Sequence, residues 1–149
     1  IRLHKDLSNE RKRGIANISD FLSSQKNEKD LPPQNNLEID IVKSSDKSVE
    51  FIFRDFDIYI EFVICTTKEI GFIKWFNRVT DLEGQSRMVP VSMDSFDRCG
   101  DIKVASFNPE RSSYSFGSNL EMYVIRALMT FCEKVDLAEF EKTTTEKKK

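Results

Sequence analysis

Four carboxylates and one amine make the first chemically suggestive set in this chain. Glu38, Asp40, Glu50 and Glu61 sit among apolar neighbours, and Lys74 follows on a later apolar segment. Acidic groups gathered on adjacent strands with a lysine beside them are what metal-dependent phosphodiester hydrolysis uses to hold a divalent cation and stabilise the attacking water. That chemistry normally shows an acid followed two positions later by Lys on one strand, and the Tyr59–Cys65 run (YIEFVIC) holds no such pair. Charges that alternate with apolar residues are also what the solvent side of a half-buried sheet carries. The expectation is a solvated face and no metal.

Asp94, Asp97 and Asp101 crowd around Cys99. Their spacing fails the calcium-loop pattern, which needs oxygen donors at alternate positions and a closing Glu. A nucleophilic Cys99 would need a histidine partner, and the chain's one histidine, His4, lies in an N-terminal helix, so capping and a surface loop explain the segment better. Cys65 and Cys132 fall in apolar stretches and read as small core residues. Ser112, Ser113, Tyr114 and Ser115 read as a polar loop. Among only five glycines there is no G-x-x-x-x-G-K-[ST], G-x-G-x-x-G or G-x-S-x-G, so neither a catalytic residue nor a cofactor is expected.

Two sets suit recognition instead. Phe72, Lys74, Phe76 and Arg78 alternate along one face of a strand, aromatic with cation, which fits either an anchored protein interface or a stacking platform for single-stranded nucleic acid. Arg2, Lys5, Arg11, Lys12 and Arg13 share a side of the first helix, which suits an acidic partner or phosphates. Each has a plainer reading: the two Phe residues lie under a helix, and the basic run is a solvated helix face interspersed with Asp6 and Glu10.

The elements that must position these residues follow from periodicity. Leu3, Leu7, Ile15, Ile18 and Leu22 recur at helical spacing, with Gly14 predicting a break, and Gln25–Asn36 reads as a surface linker. Leu37, Ile39 and Ile41 mark a strand, and Ser44–Lys47 a hairpin turn. From Val49 to Val79 β-branched and aromatic residues recur at nearly every second position. The apolar phase is odd at Val49, Phe51 and Phe53 and even at Ile58, Ile60, Phe62 and Ile64, so Arg54–Asp57 must hold a turn or a bulge, a tight turn at Asp55 and Phe56 being preferred. Thr66–Ile70 and Asp81–Gly84 read as further turns. Pro90 predicts that Arg87–Val91 is a short edge strand closing the sheet, and Ser92–Gly100 predicts one or two helical turns. A capping box of Ser118 and Glu121 opens a final helix striped by Leu120, Tyr123, Val124, Ala127, Leu128, Phe131 and Val135. Met122, Ile125 and Met129 lie off that stripe, so the helix needs cover on more than one side.

A length of 149 residues suits a single domain over 1–142, with a disordered tail at 143–149. Lys and Arg (23) nearly balance Asp and Glu (25), so any polyanion binding must come from a local patch. No apolar run approaches the roughly 18 to 20 residues that span a bilayer, and the odd cysteine count suits a reduced, cytoplasmic setting. The expected fold is α+β, an antiparallel meander of four to five strands flanked by an N-terminal and a C-terminal helix. By architecture alone this is similar to small cytosolic binders such as toxin-immunity proteins and secretion chaperones, a likeness that transfers no residue roles. The expected function is a non-enzymatic protein-interaction module acting on another protein. The alternatives are a nucleic-acid binder or a metal-dependent hydrolase.

Overall fold

The computed structural model describes residues 2–27 and 39–147. Helix α1 (Arg2–Asn27) leads into strands β1 (Ile39–Ser44), β2 (Ser48–Phe53), β3 (Phe56–Cys65), β4 (Ile70–Thr80), β5 (Ser86–Phe96), β6 (Asp101–Lys103) and β7 (Tyr114–Ser115), and helix α2 (Leu120–Lys147) follows. The strands form one antiparallel sheet in sequence order, so the fold is α+β and each strand neighbours the next. Most of the expected Gln25–Asn36 linker, and the Leu37–Glu38 part of the first strand, lie outside the described residues. Helix α2 continues the backbone through residues 143–147, into the segment expected to lack structure.

The change of phase between β2 and β3 is a turn. Phe53 pairs with Phe56, leaving Arg54 and Asp55 as the connecting residues, so inward positions switch from odd to even numbers across it. Neither Gly nor Asn supplies the left-handed backbone: Arg54 does, at φ 55°, at a cost of about 1–2 kcal/mol, while its guanidinium lies 4.9 Å from the centroid of the Phe53 ring.

The expected limit of four to five strands is wrong, because the sheet has seven. Pro90 does not end β5. The register slips between Trp75↔Ser92 and Phe76↔Pro90, a bulge that absorbs Val91 and lets the strand run eleven residues to Phe96. Of β5 only Ser95 and Phe96 pair with β6, so β5 from Ser86 to Asp94 has a strand neighbour on one side, which is the edge setting that proline tolerates. The helical turns expected at Ser92–Gly100 are instead strand followed by a hairpin. Asp97 Oδ1 accepts the backbone N–H groups of Cys99 (2.9 Å) and Asp101 (3.0 Å), and Gly100, at φ 83°, closes the turn. Asp81, with Gly84 three residues on, makes the same bonds to Glu83 and Gln85, each 2.9 Å. A repeated Asp-x-x-Gly therefore builds both of these hairpins.

At the start of α2, Ser118 pairs through its backbone with Ser115, and it is Asn119, at φ 58°, whose carbonyl receives the first helical N–H, from Tyr123 at 3.0 Å. The expected Ser118–Glu121 capping box is not among the hydrogen bonds of the described residues, and Asn119 takes the cap position.

Both helices pack on one face of the sheet. Leu7, Ile15, Ile18, Phe21 and Leu22 of α1 and Leu120, Tyr123, Val124, Ala127, Leu128 and Phe131 of α2 share one buried cluster with Phe51, Phe53, Ile58, Ile60, Phe62, Ile73, Trp75 and Phe96. Aromatic rings tie the layers together. Phe116 stands 5.1 Å from Phe96 and 6.1 Å from Phe62, and Phe131 stands 6.3 Å from Trp75, all between ring centroids.

Helix α1 does not break at Gly14. Its glycine is explained by the ring of Phe116, whose Cε1 would lie 2.8 Å from an added Cβ. Gly14→Ala should therefore destabilise the protein by about 1–3 kcal/mol in urea unfolding, although Ala is the better helix former by about 1 kcal/mol. In a Phe116→Leu background the same substitution should cost less, and an equal or greater cost there would show that Phe116 is not the obstacle.

Candidate interaction face

With Ile73 and Trp75 turned toward the helices, period-two alternation turns Phe72, Lys74, Phe76 and Arg78 to the opposite face, and all four are half-buried. Neither helix covers them. The ladder sets Phe76 beside Tyr59 on β3, with ring centroids 6.2 Å apart, and Phe72 beside Val63. On the other side Phe76 meets Pro90, Lys74 meets Met93 and Arg78 meets Met88. Met93 is 47% exposed and Met88 39%, so the aromatic strip continues into a soft, adaptable apolar margin on β5. Where the bulge loosens the packing there is a hollow of about 370 Å3, bordered by Lys74, Phe76, Pro90, Val91 and Met93.

The charges of this face are largely balanced against each other. Arg78 forms an ion pair with Glu50, has Asp57 Oδ2 at 3.8 Å from its Nη1, and stands 6.0 Å from the centroid of the Tyr59 ring. Lys74 lies directly opposite Glu61 in the β3–β4 ladder. Four carboxylates (Asp40, Glu50, Asp57, Glu61) thus share the face with three cations (Lys43, Lys74, Arg78). Of the acidic set read from the sequence, Asp40, Glu50 and Glu61 do reach this same face through the register, while Glu38 lies outside the described residues. Among the described residues no three His, Cys, Asp or Glu groups come together as a metal would require.

Arg11, Lys12 and Arg13 do not join the strip, since α1 packs on the other side of the sheet. Lys12 is exposed, Arg11 is half-buried, and Arg13 is 3.3 Å from Glu10. The Asp94–Asp101 group also separates: Asp97 serves its hairpin, Asp101 and Cys99 are exposed, and Asp94 is turned inward. Hydrogen bonding from Thr67, 3.3 Å from the sulfur, and then from the Lys68 backbone holds the Cys65 thiol below its ordinary pKa. Burial raises that of Cys132, in keeping with a core position.

Asp94 is the feature that sequence reasoning missed. At 2% exposure it is the one charged side chain classed as buried among the described residues, and all its bonds are made. Oδ1 accepts the backbone N–H of Ala105 (2.6 Å) and of Ser106 (2.7 Å), while Oδ2 accepts the hydroxyls of Ser106 (2.8 Å) and Tyr123 (2.6 Å). The Tyr123 oxygen in turn accepts Trp75 Nε1–H at 3.3 Å. This chain of bonds ties β4, β5, the 105–106 loop and α2 together beneath the outer strip. The available signal was a tyrosine in the buried stripe of α2, whose hydroxyl had to find a partner.

No family model matches this chain, and no curated protein or solved structure matches it. Among the described residues no helix is long and apolar enough to cross a membrane.

Burial, then the Asp94 charge and its hydrogen bond, push the Tyr123 phenol well above its usual pKa. A group whose folded pKa is raised lends stability that is full below its unfolded value, about 10, and is lost as pH climbs beyond it. Tyr123→Phe should cost about 1–3 kcal/mol at neutral pH, by leaving Asp94 Oδ2 and the indole N–H short of a partner. It should also remove the part of the ultraviolet phenolate signal that appears only as the protein unfolds in alkali. Ionisation of Tyr123 ahead of unfolding would contradict the buried network.

Proposed function

We propose that the chain is a non-enzymatic protein-interaction module whose outer sheet strip, centred on Phe72 and Phe76 and extended by Tyr59, Met88 and Met93, occupies the surface of a partner protein. The observation that carries this reading is the placement of both helices on the other face, which leaves an aromatic and methionine-bearing strip uncovered. Balanced charge supports a protein partner over a polyanion. Arg78 is already committed to Glu50 and Asp57, and the carboxylates beside it repel phosphate. An inhibitor, an immunity protein and a chaperone-like binder all act through such a strip by covering a partner rather than transforming it.

The second reading, a binder of single-stranded nucleic acid, rests on the alternation of Phe72 and Phe76 with Lys74 and Arg78. It predicts binding to labelled oligonucleotides that weakens steeply with added salt, and no binding at low salt would remove it.

For the leading reading, the double substitution Phe72→Ser and Phe76→Ser should cost about 1–2 kcal/mol through the lost cross-strand pairs, a few degrees in Tm. The same variant should fail to capture the protein that the intact chain retains from a lysate of its source organism. Unchanged capture would place the interaction elsewhere, and a collapse of Tm would mean that both rings are core.

A further inference from the structure

Between α1 and the beginning of α2 runs a groove of about 710 Å3, lined on one wall by Asn17, Asp20, Phe21 and Ser24 and on the other by the residues from Phe116 to Met122 together with Ile125. Phe21 and Leu120 give it buried apolar surface, Ile125 is half-buried and Met122 is 52% exposed. Met129, 46% exposed, follows Met122 by two helical turns and Ile125 by one, so the three make a single stripe on the side of α2 away from Val124, Leu128 and Phe131. The sequence had required a second cover for this helix, and the fold packs Ile125 against the core while leaving Met122 and Met129 exposed.

Charge says what the cover is. The groove lining includes the exposed carboxylates of Asp20 and Glu121 and no Lys or Arg, and the apolar stripe runs on into exposed Glu133 and Asp136. Among the described residues none of these four acids is in an ion pair. Glu121, in the first turn, offsets the positive end of its own helix, which leaves Asp20, Glu133 and Asp136 to receive a cation. Two basic side chains near the groove are engaged elsewhere: Arg13 lies against Gly117 and pairs with Glu10 at 3.3 Å, and Arg126 donates to Tyr114 Oη at 3.0 Å and the Asn108 carbonyl at 2.8 Å. A partner helix satisfies its own backbone and needs only side-chain contacts, whereas an extended strand would find no ladder to join here. Methionines at the stripe adapt to the ridges of such a helix.

We infer that this groove and the α2 stripe beyond it dock an amphipathic helix of a partner protein that carries Lys or Arg along its apolar face. The site lies on the helical side of the molecule, away from the outer strip.

Fluorescence anisotropy with a labelled Leu/Lys amphipathic peptide of about 18 residues, five helical turns, tests this directly. A Leu/Glu peptide of the same pattern is the control. The intact chain should bind the Lys peptide saturably and the Glu peptide at least about tenfold more weakly. Met122→Ser with Met129→Ser, both exposed sites, should preserve Tm within a few degrees and weaken binding about tenfold, as should Asp20→Asn with Glu133→Gln and Asp136→Asn. Phe72→Ser with Phe76→Ser should leave the affinity unchanged, which separates this site from the outer strip. The inference falls if the Lys peptide fails to saturate, if the Glu peptide binds equally, or if the groove variants bind as the intact chain does. It falls equally if sedimentation shows a dimer that Met122→Ser with Met129→Ser dissolves, because a second copy then fills the groove.

Discussion

Every residue of a β-strand must face one side of its sheet or the other, and here the alternation sends Ile58, Ile60, Phe62, Ile73 and Trp75 to the side that both helices occupy. Tyr59, Glu61, Phe72, Lys74, Phe76 and Arg78 are thereby sent to the other side. The two-residue turn at Arg54 and Asp55 keeps β2 and β3 in agreement, since without its change of parity one of them would aim its apolar set outward. The left-handed φ of Arg54 is a small strain to set against the burial of Val49, Phe51, Ile58, Ile60 and Phe62, each worth about 1.5–3 kcal/mol. The uncovered strip is thus a consequence of how the core is made.

The Asp94 network gives the same layer a fixed register. Hydrophobic packing alone tolerates small shifts between a helix and a sheet, but a buried carboxylate that accepts four hydrogen bonds from three residues does not, because moving α2 would strand the Tyr123 hydroxyl and the Trp75 N–H. Trp75 joins this network on the inner face, and its neighbours Lys74 and Phe76 stand on the outer one. Rigidity beneath β4 would lower the entropy cost of the binding proposed on top of it.

Much of this was legible in the sequence. The helical stripes, the alternation from Val49 to Val79 and the change of phase follow from period alone, because burial enforces period, whereas period sets Phe72 and Phe76 opposite Ile73 and Trp75 without saying which face the helices cover. What was not legible came from contacts distant in sequence or from elements too short to show a period. Strands β6 and β7 have three and two residues, and Pro90 looks terminal unless the bulge beside it is known. Gly14 reads as a helix breaker until Phe116, about a hundred residues later, is seen resting on it. The second Asp-x-x-Gly was in plain view: had Asp97–Gly100 been compared with Asp81–Gly84, it would have read as a hairpin and β5 would have been carried on to Phe96. Asp94 is different again, since nothing local distinguishes a carboxylate that will be buried from one that caps a turn.

Hydroxyl-radical footprinting of the isolated chain, read residue by residue by mass spectrometry, tests most directly whether the sheet has one closed face and one open face. Met88, Met93, Tyr59, Phe72 and Phe76 should be modified readily, while Phe51, Phe62, Trp75 and Phe96 stay protected until the protein unfolds. Protection of Phe72 and Phe76 equal to that of Phe62 and Phe96 would mean that the outer strip is covered in the free protein, and would contradict the account.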